Sequence, residues 1–128
     1  IVTPNEVEAE YYTGIPVCSG ESAEEAAQWF HRRGVRHVII TMGDSGAYLS
    51  VNGAGQMVPP FCVTAVDTTG AGDAFNGGLL AALSEGKDLT QAVVFASAAA
   101  ALSVGRIGTA PSMPDREEIL SLLKTVRK

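Results

Sequence analysis

A chain of 128 residues, 46% apolar and 18% charged, is long enough to bury a core and too apolar to be a disordered tail. Its formal charge of −5 leaves Arg32-Arg33 as the one adjacent basic pair before the last residues. That argues against a nucleic-acid or anionic-membrane partner, since both need a clustered positive face.

The opening "IVTPNEVEAE" has no basic leader and reads as the last residues of a buried strand. "NEVEAEYYT" follows as a short helix, stopped by Gly14 in the role of a C-terminal glycine. Ser22 with Glu25 three residues later is a capping-box pattern. It opens a helix through Arg33 whose apolar face is Ala23, Ala26, Ala27 and Phe30. Gly34 ends it, and "VRHVIIT" is an inner strand by its β-branched run. Asp44-Ser45-Gly46 is then a turn, Ala47 to Val51 a strand, Asn52-Gly53 a hairpin turn, and Gln56 to Val58 the return strand. These read as antiparallel additions at a sheet edge.

From Ala71 onward the pattern is helical. Phe75, Leu79, Ala82 and Leu83 mark one face of a helix ending near Gly86. Asp88 with Gln91 caps the next, which stops at Gly105. Its apolar run, Ala92 to Val104, is too short and too alanine-rich for a bilayer span, so a buried helix is expected. Ser112 or Asp115 caps the last helix, with Ile119, Leu122, Leu123 and Val126 as its stripe. Cys18 and Cys62 form no spacing pattern; reduced thiols and a cytoplasmic location are expected.

The chemistry concentrates in "DTTGAGDAFNGG", Asp67 to Gly78. Neither a G-x-x-x-x-G-K-S/T nor a G-x-G-x-x-G pattern is present. What remains is a short extended stretch, then Thr-Thr-Gly-Ala-Gly, then a helix. Such a loop aims backbone amides at one point, and the helix dipole adds positive charge there. It suits a phosphate, or charge that develops during a reaction. Asp73 would repel a resting anion but makes sense as a general base beside a transferring phosphoryl group; otherwise it caps the helix. Asp67 ends the apolar run "VTAV", where a carboxylate needs a cation or several donors. It either holds a metal ion or closes an Asx-turn on the loop amides.

"DTTGAGDAFNGGLLAAL" closely resembles the second signature of the ribokinase-like (pfkB) family of carbohydrate kinases, a long and specific motif. "TPNEVEAEYYTG" resembles the family's Asn-x-x-Glu segment through Asn5 and Glu8. "ITMGDSGAYL" resembles its Thr-x-Gly-x-x-Gly nucleotide segment through Thr41, Gly43 and Gly46. "AAAALSVGRIGTAPSMPDREEI" is similar to the family's C-terminal end. The resemblance implies that Asp73 deprotonates a sugar hydroxyl while the amides of Gly70, Ala71 and Gly72 form an anion hole over the γ-phosphate. It implies that Asn5 and Glu8 organise magnesium, its waters and the ATP phosphates; read from the residues alone, Asn5 is a helix N-cap and Glu8 a solvated first-turn carboxylate. Thr41, Gly43, Asp44 and Gly46 fall at the nucleotide, and Ser97 faces the adenine or simply packs its helix. Asp67 then belongs to a potassium site, with carbonyls of Thr69, Ser103 and Gly108 and the hydroxyl of Ser112, which otherwise caps the last helix.

The implied fold is α/β: the C-terminal part of a three-layer α/β/α architecture, with a mostly parallel sheet, helices on both faces and an antiparallel edge hairpin. Residues 1–128 are expected to form one partial domain, the nucleotide-binding C-terminal half, without the sugar-binding and lid parts that the family carries before it. The implied function is ATP-dependent phosphorylation of a sugar hydroxyl with Mg²⁺ and K⁺, ribose to ribose 5-phosphate being the first substrate. A fructokinase, ketodeoxygluconate kinase or nucleoside kinase shares this half, and a non-catalytic nucleotide-binding module is the reading from another class. The parent enzyme is expected to be a homodimer, and the isolated fragment inactive.

Overall fold

The computed structural model describes residues 1–51, 53–61, 71–104 and 116–126. The chain divides into two compact units, Ile1–Pro60 and Phe61–Lys128.

In the first unit, α1 (Glu6–Thr13) and α2 (Gly20–His31) precede β1 (His37–Thr41), β2 (Ala47–Val51) and β3 (Ala54–Val58). The three strands form an antiparallel sheet in the order β1-β2-β3, with Ile40 opposite Tyr48 and Leu49 opposite Gln56. Residues 2–5 run along the other side of β1, where Val2 pairs with Val38 and Asn5 with Thr41 in parallel. β1 is therefore the inner strand its sequence indicates, and the hairpin β2–β3 the expected antiparallel addition. Val38, Ile39 and Ile40 are fully buried, so the sheet is covered on both faces there, which explains an unbroken apolar run in place of alternation. Val38 and Ile40 join Tyr48, Ala23, Ala27 and Phe30 in the core between α2 and the sheet.

Local chemistry fixes the ends of these elements. Gly14 is left-handed (φ 75°) and donates its N–H to the Glu10 carbonyl, stopping α1 as expected. The start of α2 differs from the sequence reading. Its N-cap is Ser19, whose hydroxyl accepts the Ser22 N–H, while the Ser22 hydroxyl accepts the Ser19 N–H. Ser22 therefore closes the box rather than opening it, and the helix begins one turn earlier.

The second unit holds α3 (Ala71–Ser84), α4 (Leu89–Val104) and α5 (Arg116–Val126). Phe75, Leu79 and Ala82 are buried on α3, and Val93, Phe95 and Ala96 on α4. Gly78 lets the two helices approach: a methyl group there would lie 3.1 Å from both Ala96 Cα and Ala99 Cβ. Gly86 (φ 84°) turns the chain, and Asp88 caps α4, accepting the Gln91 N–H at 2.8 Å. Ile119 is buried on the α5 stripe. Among the described residues no helix is long and apolar enough to cross a membrane. Cys18 is free and exposed, whereas Cys62, Asn52, Ser112 and Asp115 lie outside the described residues.

Candidate active site

In the first unit the parallel pairing sets the site. Val2 and Pro4 carbonyls accept the N–H groups of Ile39 and Thr41 at 2.9 and 3.0 Å, which brings Asn5 beside Thr41 at the C-terminal end of β1. That is where an open α/β sheet receives ligands. Asn5 is indeed the N-cap of α1: its Oδ1 accepts the Glu8 N–H at 2.8 Å, and Glu8 Oε1 accepts the Asn5 N–H at 3.0 Å. The capping role read from the residues alone is thus real, and it leaves one Glu8 oxygen and the Asn5 amide nitrogen at the positive end of the helix.

The turn after β1 completes this group. Gly43–Ser45 is a single 3₁₀ turn, closed by the Met42 N–H donating to the Gly46 carbonyl at 2.8 Å. Gly43 (φ 53°) and Gly46 (φ 94°) both need left-handed backbone. A side chain at Gly46 would overlap the Val58 carbonyl and reach within 3.0 Å of the Pro60 nitrogen, so β3 closes against the turn. A methyl at Gly43 would lie 3.6 Å from a Glu6 carboxylate oxygen. Asn5, Glu8, Thr41 and Gly43 thus gather at one end of the sheet, with Gly46 closing the turn behind them; of Asp44 only its backbone place in the turn is described.

In the second unit Ala71 and Gly72 are the first two residues of α3 and Asp73 the third. Amides at these positions have no carbonyl partner within the helix, so they can face an anion. Asp73 is exposed, sits in the first turn and not at the cap itself, and lines an open groove of about 230 Å³. Gly77, Ala81, Phe95 and Ile119 give that groove apolar walls, and an ion pair between Glu85 and Arg116 closes on its side. Among the described residues the Asp73 carboxylate has no hydrogen-bond or ion-pair partner, which leaves its oxygens able to accept a proton. Ser97 is half-buried on α4, and Ser103 is fully buried in its last turn. Gly70, Asp67, Thr69, Gly108 and Ser112 lie outside the described residues, so the first amide of the expected anion hole and four of the five expected potassium ligands do too.

Among the described residues no three His, Cys, Asp or Glu side chains gather as a metal cage. A single carboxylate oxygen at Glu8 suits a magnesium ion that keeps its waters and takes its other ligands from phosphates. It does not suit an ion held by protein alone.

Helix-start amides beside a carboxylate in one unit, and a capped polar strand end in the other, are groups of the kind that α/β proteins use to receive phosphate. The family model described as "pfkB family carbohydrate kinase" matches residues 1–116. Ribokinase from Haemophilus influenzae is 47% identical over 124 residues, which cover 97% of this chain and 40% of that protein. The structure of Arabidopsis thaliana ribokinase complexed with ribose and ATP matches with a TM-score of 0.89 at 39% identity, over 95% of this chain and 40% of that one. A double-mutant fructokinase from Vibrio cholerae, in its fructose, ADP and potassium ion bound form, matches with a TM-score of 0.84 at 31% identity, over 95% and 40%. The chain belongs to the pfkB family of carbohydrate kinases, and its fold is ribokinase-like. It spans about 40% of the length of the relatives it matches.

Sequence reasoning missed two features. Glu85 and Arg116 are thirty-one positions apart, with no motif to link them. The contact of Glu24 with Tyr48 joins a helix to a strand, and its only trace in the sequence is the small residue Gly55 lying beneath it.

Proposed function

We propose that the protein containing this chain phosphorylates a sugar hydroxyl with ATP, D-ribose being converted to D-ribose 5-phosphate. The observation that carries this is Asp73, an exposed first-turn carboxylate beside the amides of Ala71 and Gly72, with no partner among the described residues. Asp73 takes the hydroxyl proton as the sugar oxygen forms its bond to the γ-phosphorus. The bridging bond to the β-phosphate breaks and ADP leaves with the electron pair. The amides of Gly70, Ala71 and Gly72 absorb the charge spread over the transferring oxygens. Thr41, Gly43, Asp44, Gly46 and Ser97 contact the nucleotide, and Asn5 and Glu8 orient its phosphates.

Magnesium, when bound, neutralises phosphate charge; Glu8 would hold it through water. Potassium is proposed beside the anion hole, held by Asp67, Thr69, Ser103, Gly108 and Ser112, and the potassium-bound fructokinase relative supports that reading. Ribose is preferred because the ribokinases of Haemophilus influenzae and Arabidopsis thaliana share more identity with this chain than the fructokinase does. Fructose is the second candidate. The active enzyme is proposed to be a cytoplasmic homodimer. The isolated 128-residue chain should turn over little, because positioning the acceptor supplies much of the rate.

The test is ADP release by the full-length kinase with ribose, fructose, ketodeoxygluconate and a nucleoside as acceptors. Highest kcat/KM with ribose is expected. Turnover with none of them overturns the proposal, and ATP binding without any transfer would instead mark a non-catalytic nucleotide-binding module.

A further inference from the structure

Two polar pairs fasten α2 to β2. Near the start of the helix, Tyr48 donates its hydroxyl hydrogen to Glu24 Oε2, and Glu24 Oε1 accepts the Gln28 amide at 2.6 Å. At its end, His31 lies 2.7 Å from the Val35 carbonyl through Nδ1 and 2.8 Å from Ser50 Oγ through Nε2. A carbonyl only accepts, so Nδ1 carries a hydrogen, and Nε2 pairs with the Ser50 hydroxyl, which can either donate or accept. Glu24 and His31 are two helical turns apart, while Tyr48 and Ser50 share one face of the strand. Tyr48 is 7% exposed and Ser50 0%, so both hydroxyls need these partners.

The two pairs are not equivalent. Tyr48 is the second residue of β2, two positions after Gly46; Ser50 is farther along. Gly55 of β3 lies directly beneath the tyrosine, since a methyl group there would overlap its hydroxyl and come within 2.6 Å of Glu24 Oε2. One side chain therefore ties α2 to β2 over β3: its hydroxyl lies above Gly55, the residue opposite Ser50, while its backbone sits opposite Met57, next to the Val58 whose carbonyl meets the Gly46 turn. Burial, then the hydrogen bond and charge of Glu24, hold the tyrosine's pKa well above its ordinary value, so the hydroxyl keeps its hydrogen and remains the donor.

We infer that the Tyr48–Glu24 pair holds the Thr41–Gly46 turn in its nucleotide-binding geometry, which makes both positioning residues for ATP. This rests on the kinase reading. In that reading, loosening the pair lowers the share of molecules with a competent turn and weakens apparent ATP affinity in proportion.

The experiment compares Tyr48→Phe with Ser50→Ala in the full-length kinase, by calorimetry with ATP and Mg²⁺, steady-state kinetics and amide hydrogen exchange. If Tyr48→Phe reduces the competent share to about a quarter, the Kd and KM for ATP rise about four-fold. The sugar KM and kcat hold, and exchange quickens at residues 42–46. Ser50→Ala should lower Tm without moving ATP affinity. Glu24→Gln, which keeps an acceptor oxygen, should recover much of the affinity lost in Glu24→Ala. The inference is overturned if Tyr48→Phe and Ser50→Ala both lower Tm while neither changes ATP affinity or exchange at the turn. Wild-type protein that neither binds ATP nor phosphorylates any sugar would sink the kinase reading instead; the exchange comparison would still decide whether Tyr48 holds the turn.

Discussion

The two units position their chemical groups by different physics. In Ile1–Pro60, backbone pairing does it: residues 2–5 lie in register along β1, and Asn5 and Glu8 tie each other down through a capping box. In Phe61–Lys128 it is helix register and small side chains: α3 starts at Ala71 so that Asp73 falls in its first turn, and Gly78 admits α4 at close range. The first unit should therefore be most sensitive to changes in backbone conformation, the second to changes in volume.

Four substitutions break or sharpen this contrast, each measured by denaturant unfolding together with hydrogen exchange resolved to each unit. Gly46→Ala is expected to be the most damaging, at about 3 kcal/mol, because it adds left-handed strain to an overlap with the Val58 carbonyl. Protection should fall first in the hairpin. Gly78→Val should lose about 2 kcal/mol by forcing α3 and α4 apart, with its first effects in those helices. An equal loss from Gly78→Val with no change in helix protection would contradict the volume argument. Asn5→Ala removes the cap of α1 and should remove about 1 kcal/mol. Arg116→Ala breaks an ion pair whose side chains are 50% and 35% exposed, so the change should stay below about 0.5 kcal/mol. A larger effect from Arg116 than from Asn5 would contradict the small contribution expected of an exposed ion pair.

Much of this was legible in the residues. The apolar stripes of α2 and α3, the stop at Gly14, the Asp88–Gln91 cap and the hairpin all follow from spacing and turn chemistry. The start of α2 was not, because two overlapping serine patterns compete and only the backbone decides that Ser19 is the cap. Asn5 shows a different limit. Sequence offers a cap or a phosphate ligand as alternatives, whereas the geometry makes the cap the device that presents the remaining polar atoms. The Tyr48–Glu24 contact could not be read at all, since twenty-four positions separate the partners and neither belongs to a local pattern.

The central claim is that the exposed carboxylate at the start of α3 moves the proton in phosphoryl transfer. Asp73→Asn in the full-length kinase keeps the shape of that side chain and removes its basicity. kcat with ribose should fall about a hundred- to ten-thousand-fold while ATP affinity, read by calorimetry, stays the same. Undiminished kcat in that variant would contradict the account.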